Sequence, residues 1–550
     1  MYRIIVALLA VAIAFGIVKT AKSQNGKATP SAINEATLKA HIKFLSDDLL
    51  EGRGTGARGG ELAAKYIAAQ LEALGAKGAA ADGSFFQPVS LVGVKADPNT
   101  TLTISGASGN ETFKFADDFV AFTGAQTESV DVDTDLVFVG YGINAPEQKW
   151  NDYKGPDTDY RGKILVMLVN DPPATSAEPN LFGGKALTYY GRWTYKYEEA
   201  ARRGAAGVIL LHTDESAGYP WGVVRTSNGS WRFDIARAEG DNTPFLQFRS
   251  WVTDDAAHRL MKLAGQDLDT LRAKAATRDF QPVKLGLKGN LNLKSEVKRL
   301  TAPNVVGSLE GSDPQLRSEY VVYTAHWDHL GIGAPNKNGD TIYNGAQDNA
   351  TGVACVLAIA ESIARMPQRP KRSSLFLFTT GEEQGLLGAE WYSKHSLVPL
   401  EKTAANVNLD SMNVLGPTHD FIPLGAERST LKGIVEAVAR NMGLRVSPDA
   451  RPEQGSFYRS DHFPFAKVGV PSISLKEGND FVGRSKEWGE EQFKAYNTAH
   501  YHQPSDEFRD SWDFHGMIQE AEIGLAIGRM ISDAPEKPRF NPDDEFAKKR

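Results

Sequence analysis

A single cysteine, Cys355, among 550 residues excludes any disulfide within the chain. It lies in the apolar stretch TGVACVLAIA and is read as a small buried residue. The same scarcity argues against a structural metal site built on thiolates. A surplus of positive charge is lacking too: 61 Lys and Arg against 68 Asp and Glu leave a net charge of -7. That balance carries no basic footprint for nucleic acid. Long apolar runs are scarce. Residues 4–18 form one, but 15 residues fall short of the roughly 20 that a helix needs to cross a bilayer. With Arg3 before it and the small residues Ala21 and Ser23 after it, the run has the form of a cleaved signal peptide covering 1–23. The expectation is a secreted or periplasmic bacterial protein with no membrane span after cleavage, stabilised by core size in place of disulfides. Internal repeats and low-complexity tracts are not evident.

What is present is a globular composition, 41% hydrophobic and 23% charged, on a chain too long for one ordinary domain. After a polar linker, residues 33–50 and 59–75 have helical apolar spacing. Between them, EGRGTGARGG is rich in glycine, but no strand precedes it and no Lys-Ser/Thr follows. It is therefore read as a helix-to-helix turn and not as a phosphate loop. Residues 24–130 are assigned to the first part of a main domain and 131–285 to a β-rich insertion. The main domain resumes over 286–535, and 536–550 form a polar tail. From APNVVGSLEG onward, near-continuous apolar strands alternate with helices. This predicts an α/β fold: a mostly parallel mixed sheet sandwiched by helices, with its site beyond the carboxyl ends of the strands.

The residues just after those strands form a set. YVVYTAHWDHLG delivers His326 and Asp328, NGAQDNATG delivers Asp348, and LFLFTTGEEQGLLG delivers Glu382 and Glu383. NLDSM ends in Asp410, and YHQPSDEF supplies His502 before the last helix. Imidazoles and carboxylates without sulfur suit a first-row divalent ion. Five ligands exceed the needs of one open catalytic zinc but fit two zincs sharing a carboxylate, about 3.5–4 Å apart. A dication would also explain how two adjacent glutamates coexist, one binding metal and the other holding a proton near the metal-bound water. Asp328 is expected to orient the ring of His326. His329, His462 and His500 are set aside as decoys.

At AHWDHLG, GAQDNATGVA, TTGEEQGLLGAEWY, NLDSMN, SDHFPF and YHQPSDEF the chain resembles the M28 family of co-catalytic zinc peptidases. The likeness covers most of 303–533. The 131–285 insertion is similar to the protease-associated (PA) domain that members of the family carry. The resemblance implies a zinc exopeptidase fold and two Zn2+ per chain. One zinc would be held by His326, Asp348 and Asp410, the other by Asp348, Glu383 and His502. It further implies Glu382 as general base, Tyr501 as a hydrogen-bond donor to the tetrahedral intermediate, and a strained, cis-type peptide at Asp348–Asn349.

Peptides are the expected substrates. An aminopeptidase needs acidic groups and a carboxypeptidase basic ones; SFYRSDHFPF offers both, in Asp461 and Arg459. Phe457, Tyr458, Phe481 and Trp488 are candidates for an apolar pocket, and residues 476–502 for a lid. Aminopeptidase is favoured by analogy with exported bacterial relatives. Carboxypeptidase or dipeptidase, a glutaminyl cyclase-like transferase and a non-catalytic binding protein follow in that order.

Overall fold

Strands buried on both faces must be apolar throughout, and Ser373–Thr379 and Thr403–Leu409 are buried at every position. They lie at the centre of the main sheet of the computed structural model, which describes residues 33–547 except 156–158 and 229–230. The predicted signal peptide lies outside the described residues. The main sheet comprises β1 (Phe86–Ala96), the C-terminal half of β2 (Val283–Leu309), β3 (Tyr320–His326), β4 (Ser373–Thr379), β5 (Thr403–Leu409), β6 (Asp420–Leu424) and β7 (Ser472–Glu477). Their order is β1-β2-β4-β3-β5-β7-β6, parallel from β4 through β7 and antiparallel toward both edges. His326 at the end of β3 pairs with Thr379 at the end of β4, so both strands release their loops on one side.

The helices α1 (Glu35–Leu45), α2 (Arg58–Ala73), α3 (Thr351–Arg365), α4 (Leu387–Lys394), α5 (Leu431–Met442), α6 (His462–Lys467) and α7 (Phe514–Asp533) cover both faces. The strand alternation sorts the two cores. Val321, Tyr323, Phe376 and Phe378 point into a cluster with Ile42, Ile67, Val356 and Met517. Val322, Leu375 and Leu377 meet Tyr392 and Phe465 on the other side. Each such side chain contributes about 1.5–3 kcal/mol by leaving water. Cys355 is buried in α3, as expected.

A second sheet has its own cores. It contains Gly109–Lys114, Thr101–Gly106, the N-terminal half of β2, Ser129–Phe138, Ile164–Leu168, Gly207–Leu211, Phe248–Val252 and Phe119–Thr123, in that order. The sequence limits at 131 and 285 therefore fall inside two continuous strands, Ser129–Phe138 and Val283–Leu309. The reason is visible in β2. It alternates buried and exposed from Leu285 to Leu293, then becomes largely buried from Val305, changing sheet without a break. The polar tail is docked: Phe540 and Phe546 pack with Tyr458 and Phe463. Among the described residues no helix is long and apolar enough to cross a membrane.

Candidate metal centre

Each predicted ligand arrives from a different loop at the carboxyl ends of the strands. His326, the last residue of β3, is 1% exposed. Its Nδ1 donates to the main-chain carbonyl of Asp328, 3.1 Å away, which fixes the tautomer and leaves Nε2 facing carboxylates. Nε2 lies 3.2 Å from Asp348 Oδ1, 3.5 Å from Asp410 Oδ1 and 3.9 Å from Glu382 Oε2. The expectation that the Asp328 carboxylate orients this ring is corrected here. The carbonyl of Asp328 does so, while its carboxylate accepts the Thr55 hydroxyl and the Glu382 N–H, because its side chain points back beneath the β4 loop.

Asp348 precedes α3, and its peptide bond to Asn349 is cis. Its loop is held by Asp506, which accepts the N–H groups of Gln347 and Asp348 at 3.0 Å each. Asn349 reaches the end of β5, donating to Leu409 and accepting from Ser411, so the Asp348 and Asp410 loops are tied together. The two oxygens of Asp348 face different histidines: Oδ2 is 3.4 Å from His502 Nε2. His502 also stands 3.0 Å from Glu383, and Tyr501 stacks on its ring with centroids 3.9 Å apart. Two overlapping sets, His326/Glu382/Asp410 and His326/Asp348/Glu383, bring one ligand atom per residue within 4.8 Å of each other.

The electrostatics need a cation. Among the described residues, the ion pairs of Asp348, Glu382, Glu383 and Asp410 are with histidines alone. His502 Nδ1 is buried without a hydrogen bond, and its Nε2 faces the carboxylates of Asp348 and Glu383. Converging nitrogen and carboxylate donors are what a first-row divalent metal requires, so the residues fit such an ion. The adjacent glutamates are driven apart. Burial, with Glu383 and Asp410 adding to it, lifts the Glu382 carboxyl well above the usual range against the pull of His326. Burial pushes Glu383 upward as well, but His502 and His329 outweigh it and hold that carboxyl at about 2. Two carboxyls with opposed affinities for a proton are suited to different roles.

Sequence reasoning set His329 aside, yet its Nδ1 lies 2.6 Å from Glu383. The three-residue step from His326 was the signal for it. Arg53, from the glycine-rich turn, is fully buried and donates to the carbonyls of Leu45, Trp327, Asn344 and Gly345, fastening three loops. Its flanking glycines were the hint; Gly52 at φ 65° would drive a Cβ to 2.4 Å from the Tyr343 carbonyl. Asp506, four residues after His502, was missed as well. His500 bonds Ser505 and Arg509, and His462 packs on Phe457; neither belongs to the two ligand sets.

A cavity of about 1620 Å³ lies over the cluster, walled in part by Tyr458, Arg459, Tyr501 and residues of the second sheet's connections. Asp461 is not in that wall. It is fully buried and accepts the Thr379 hydroxyl behind His326. Phe457 packs against the Arg428 guanidinium, and Phe481 against Trp488, so none of the three lines the cavity. The segment proposed as a lid contains a helix, Trp488–Ala499, whose Phe493 and Tyr496 reach the wall.

Residues 304–525 match the model of Peptidase family M28. Over 447 residues the chain is 24% identical to the probable leucine aminopeptidase 2 of Aspergillus oryzae, covering 79% of this chain and 75% of that protein. It is 26% identical over 243 residues to leupeptin-inactivating enzyme 1 of Streptomyces exfoliatus, covering 43% of this chain and spanning half the length of that relative. The aminopeptidase from Aneurinibacillus sp. strain AM-1 shares the fold, with a TM-score of 0.53 at 20% identity over 93% of this chain and 97% of its own. The 304–525 segment that matches peptidase family M28 carries every residue of the cluster from His326 to His502.

Proposed function

We propose that this chain is an exported metallopeptidase that holds two zinc ions and releases N-terminal residues from peptides. The observation that carries the reading is the convergence of His326, Asp348, Glu382, Glu383, Asp410 and His502 beneath one large cavity. One ion would be held by His326, Asp348 and Asp410, the other by Asp348, Glu383 and His502, with the two oxygens of Asp348 already turned toward the two histidines. Bound zinc supplies Lewis acidity toward a peptide carbonyl and toward water.

The protein's own residues do the rest. Glu382, whose carboxyl is held above the usual range by burial, takes the proton of the attacking water and returns it to the leaving amine. Asp328 accepts the Glu382 N–H and keeps that turn in place. The Tyr501 hydroxyl, kept protonated by burial, donates to the developing oxyanion. Release from the N-terminal end is supported by the name of the Aspergillus relative, which matches across three quarters of its own length. The second sheet is assigned as the protease-associated insertion, with limits moved out to about 101–293 to follow its strands. Residues 1–23 are assigned as the signal peptide.

The test is mass spectrometry of free and end-blocked peptides incubated with the zinc-loaded protein, with and without chelator. Stepwise loss from free N-termini that stops with chelator is expected. Loss from C-termini would overturn the aminopeptidase assignment, and chelator-insensitive cleavage would overturn the metal assignment.

A further inference from the structure

Two arginines in the cavity wall have no ion pair among the described residues. Arg192 comes from the second sheet's connections, immediately before the helix Trp193–Arg202, and Arg459 from the peptidase segment after Tyr458. Among the described residues neither guanidinium has a carboxylate within 4.0 Å, and Arg192 Nε is buried without a hydrogen bond. Three acids of the same wall are taken. Glu198 lies 3.5 Å from Lys467, Asp234 3.1 Å from Arg249 and Glu390 2.9 Å from Lys394.

The placement is built. The Leu187 N–H donates to the Pro452 carbonyl at 2.9 Å, and Tyr189 packs its ring 5.1 Å from Phe463 and 6.2 Å from Tyr458. These contacts fasten the Arg192 segment to the one bearing Arg459. Arg459 in turn lies 5.7 Å above the Tyr219 ring. Burial first, and then the charge of Arg459, lower the Arg192 pKa to about 10, so it stays cationic at neutral pH and in conflict with its neighbour. Both arginines line the same cavity as Tyr501, which stacks on the His502 ring, so the pair and the metal cluster share one space. Two like charges partly removed from water are costly unless an anion joins them, and the planar fork of arginine matches a carboxylate.

We propose that Arg192 and Arg459 together form a carboxylate-recognition subsite, so that the favoured substrates are peptides presenting a carboxylate close to the metal cluster. That carboxylate is either the free C-terminus of a short peptide or an acidic side chain. The proposal rests on the peptidase reading above and adds the substrate class to it.

The experiment compares kcat/KM of the zinc-loaded full chain on Leu-Ala, Leu-Ala-amide and Leu-Glu-amide, with zinc content and Tm checked for every variant. A free-acid or acidic peptide is expected to exceed Leu-Ala-amide by about tenfold or more, chiefly through KM, as a charge-assisted hydrogen bond gives. The preferred one of the two identifies the carboxylate. Arg192→Gln and Arg459→Gln should each cut that ratio about tenfold, with the Lys variants intermediate. A wild-type ratio near one, or variants that lower all three substrates in parallel, would overturn the subsite. If no peptide is cleaved, the peptidase reading fails and binding decides. N-acetyl-Leu-Ala raising Tm more than its amide does, in wild type but not in the Gln variants, upholds the subsite; equal shifts refute it.

Discussion

Glu382 and Glu383 sit side by side and are asked to do different work, because their partners differ. Glu383 stands between His329 and His502. Glu382 faces His326 at 3.9 Å and is otherwise surrounded by acids, so its proton is hard to remove without a metal nearby. Replacing Glu382 by Gln keeps the shape and the metal but removes the proton carrier; bound zinc should stay within error of wild type while kcat falls by about 10²–10⁴-fold. Glu383→Ala should instead lose metal, read by elemental analysis after gel filtration. A second residue, His41, sets a pH response of stability. It is buried, with Nδ1 2.8 Å from the Tyr66 hydroxyl, and burial lowers its pKa to about 4. The folded protein thus holds it neutral where the unfolded chain, titrating near 6.5, accepts a proton. Stability from this group is complete above pH 6.5 and declines by about 3 kcal/mol as pH falls toward 4. Urea midpoints between pH 7 and 4 should fall less steeply in His41→Gln than in wild type.

At the scale of the element, the loops matter more than the strands that carry them. Gly345 shows why: at φ 55°, a Cβ there would lie 2.4 Å from the Asp348 carbonyl and 2.5 Å from the His329 ring. Gly345→Ala should therefore displace the Asp348 loop, lowering zinc affinity at least tenfold and Tm together, whereas Gly433, exposed on α5 with open space around it, should tolerate the same change. The strands of the peptidase segment were legible because burial on both faces leaves a continuous apolar run: β3, β4 and β5 lie where SEYVVYTAH, SSLFLFTT and ANVNL place them. The ligand candidates were legible for the related reason that a parallel sheet presents its strand ends on one side. Less could be read of what holds those loops. Arg53 contacts Trp327 and Gly345 across 274 and 292 residues, and Asp506 reaches Asp348 across 158, distances that leave no local periodicity. The strands of the second sheet run past the limits read from sequence, because β2 serves both sheets without a turn. In SFYRSDHFPF, composition offered four pocket residues; burial assigns Asp461 and Phe457 to the interior and leaves Tyr458 and Arg459 in the wall.

For the molecule as a whole, the cavity is a joint product of distant parts of the chain. The N-terminal turn supplies Arg53 and Thr55 beneath the metal cluster, the second sheet supplies Arg192, and the C-terminal residues brace the wall from behind. That brace is specific. Arg428 pairs with Asp544 at 2.9 Å and Glu545 at 2.7 Å, and donates to the Tyr458 hydroxyl at 3.1 Å. Phe546, 2% exposed, closes the aromatic cluster that includes Tyr458 and Phe463. Removing residues 539–550 would strip Arg428 of both carboxylates and uncover the back of Tyr458. Loss of the Phe546 side chain alone withdraws about 2 kcal/mol of apolar burial, and the partly buried ion pairs add to it. The truncated protein should unfold at lower urea yet retain its zinc, since the contacts described for residues 539–547 are with the wall and not with the metal cluster. Its KM for peptides should rise more than its kcat falls, because the loosened wall is the one that carries Tyr458 and Arg459. Phe546→Leu should recover most of the stability and Phe546→Ala little. If truncation instead lowered zinc content and kcat together, the C-terminal residues would be supporting the metal cluster and not the cavity wall.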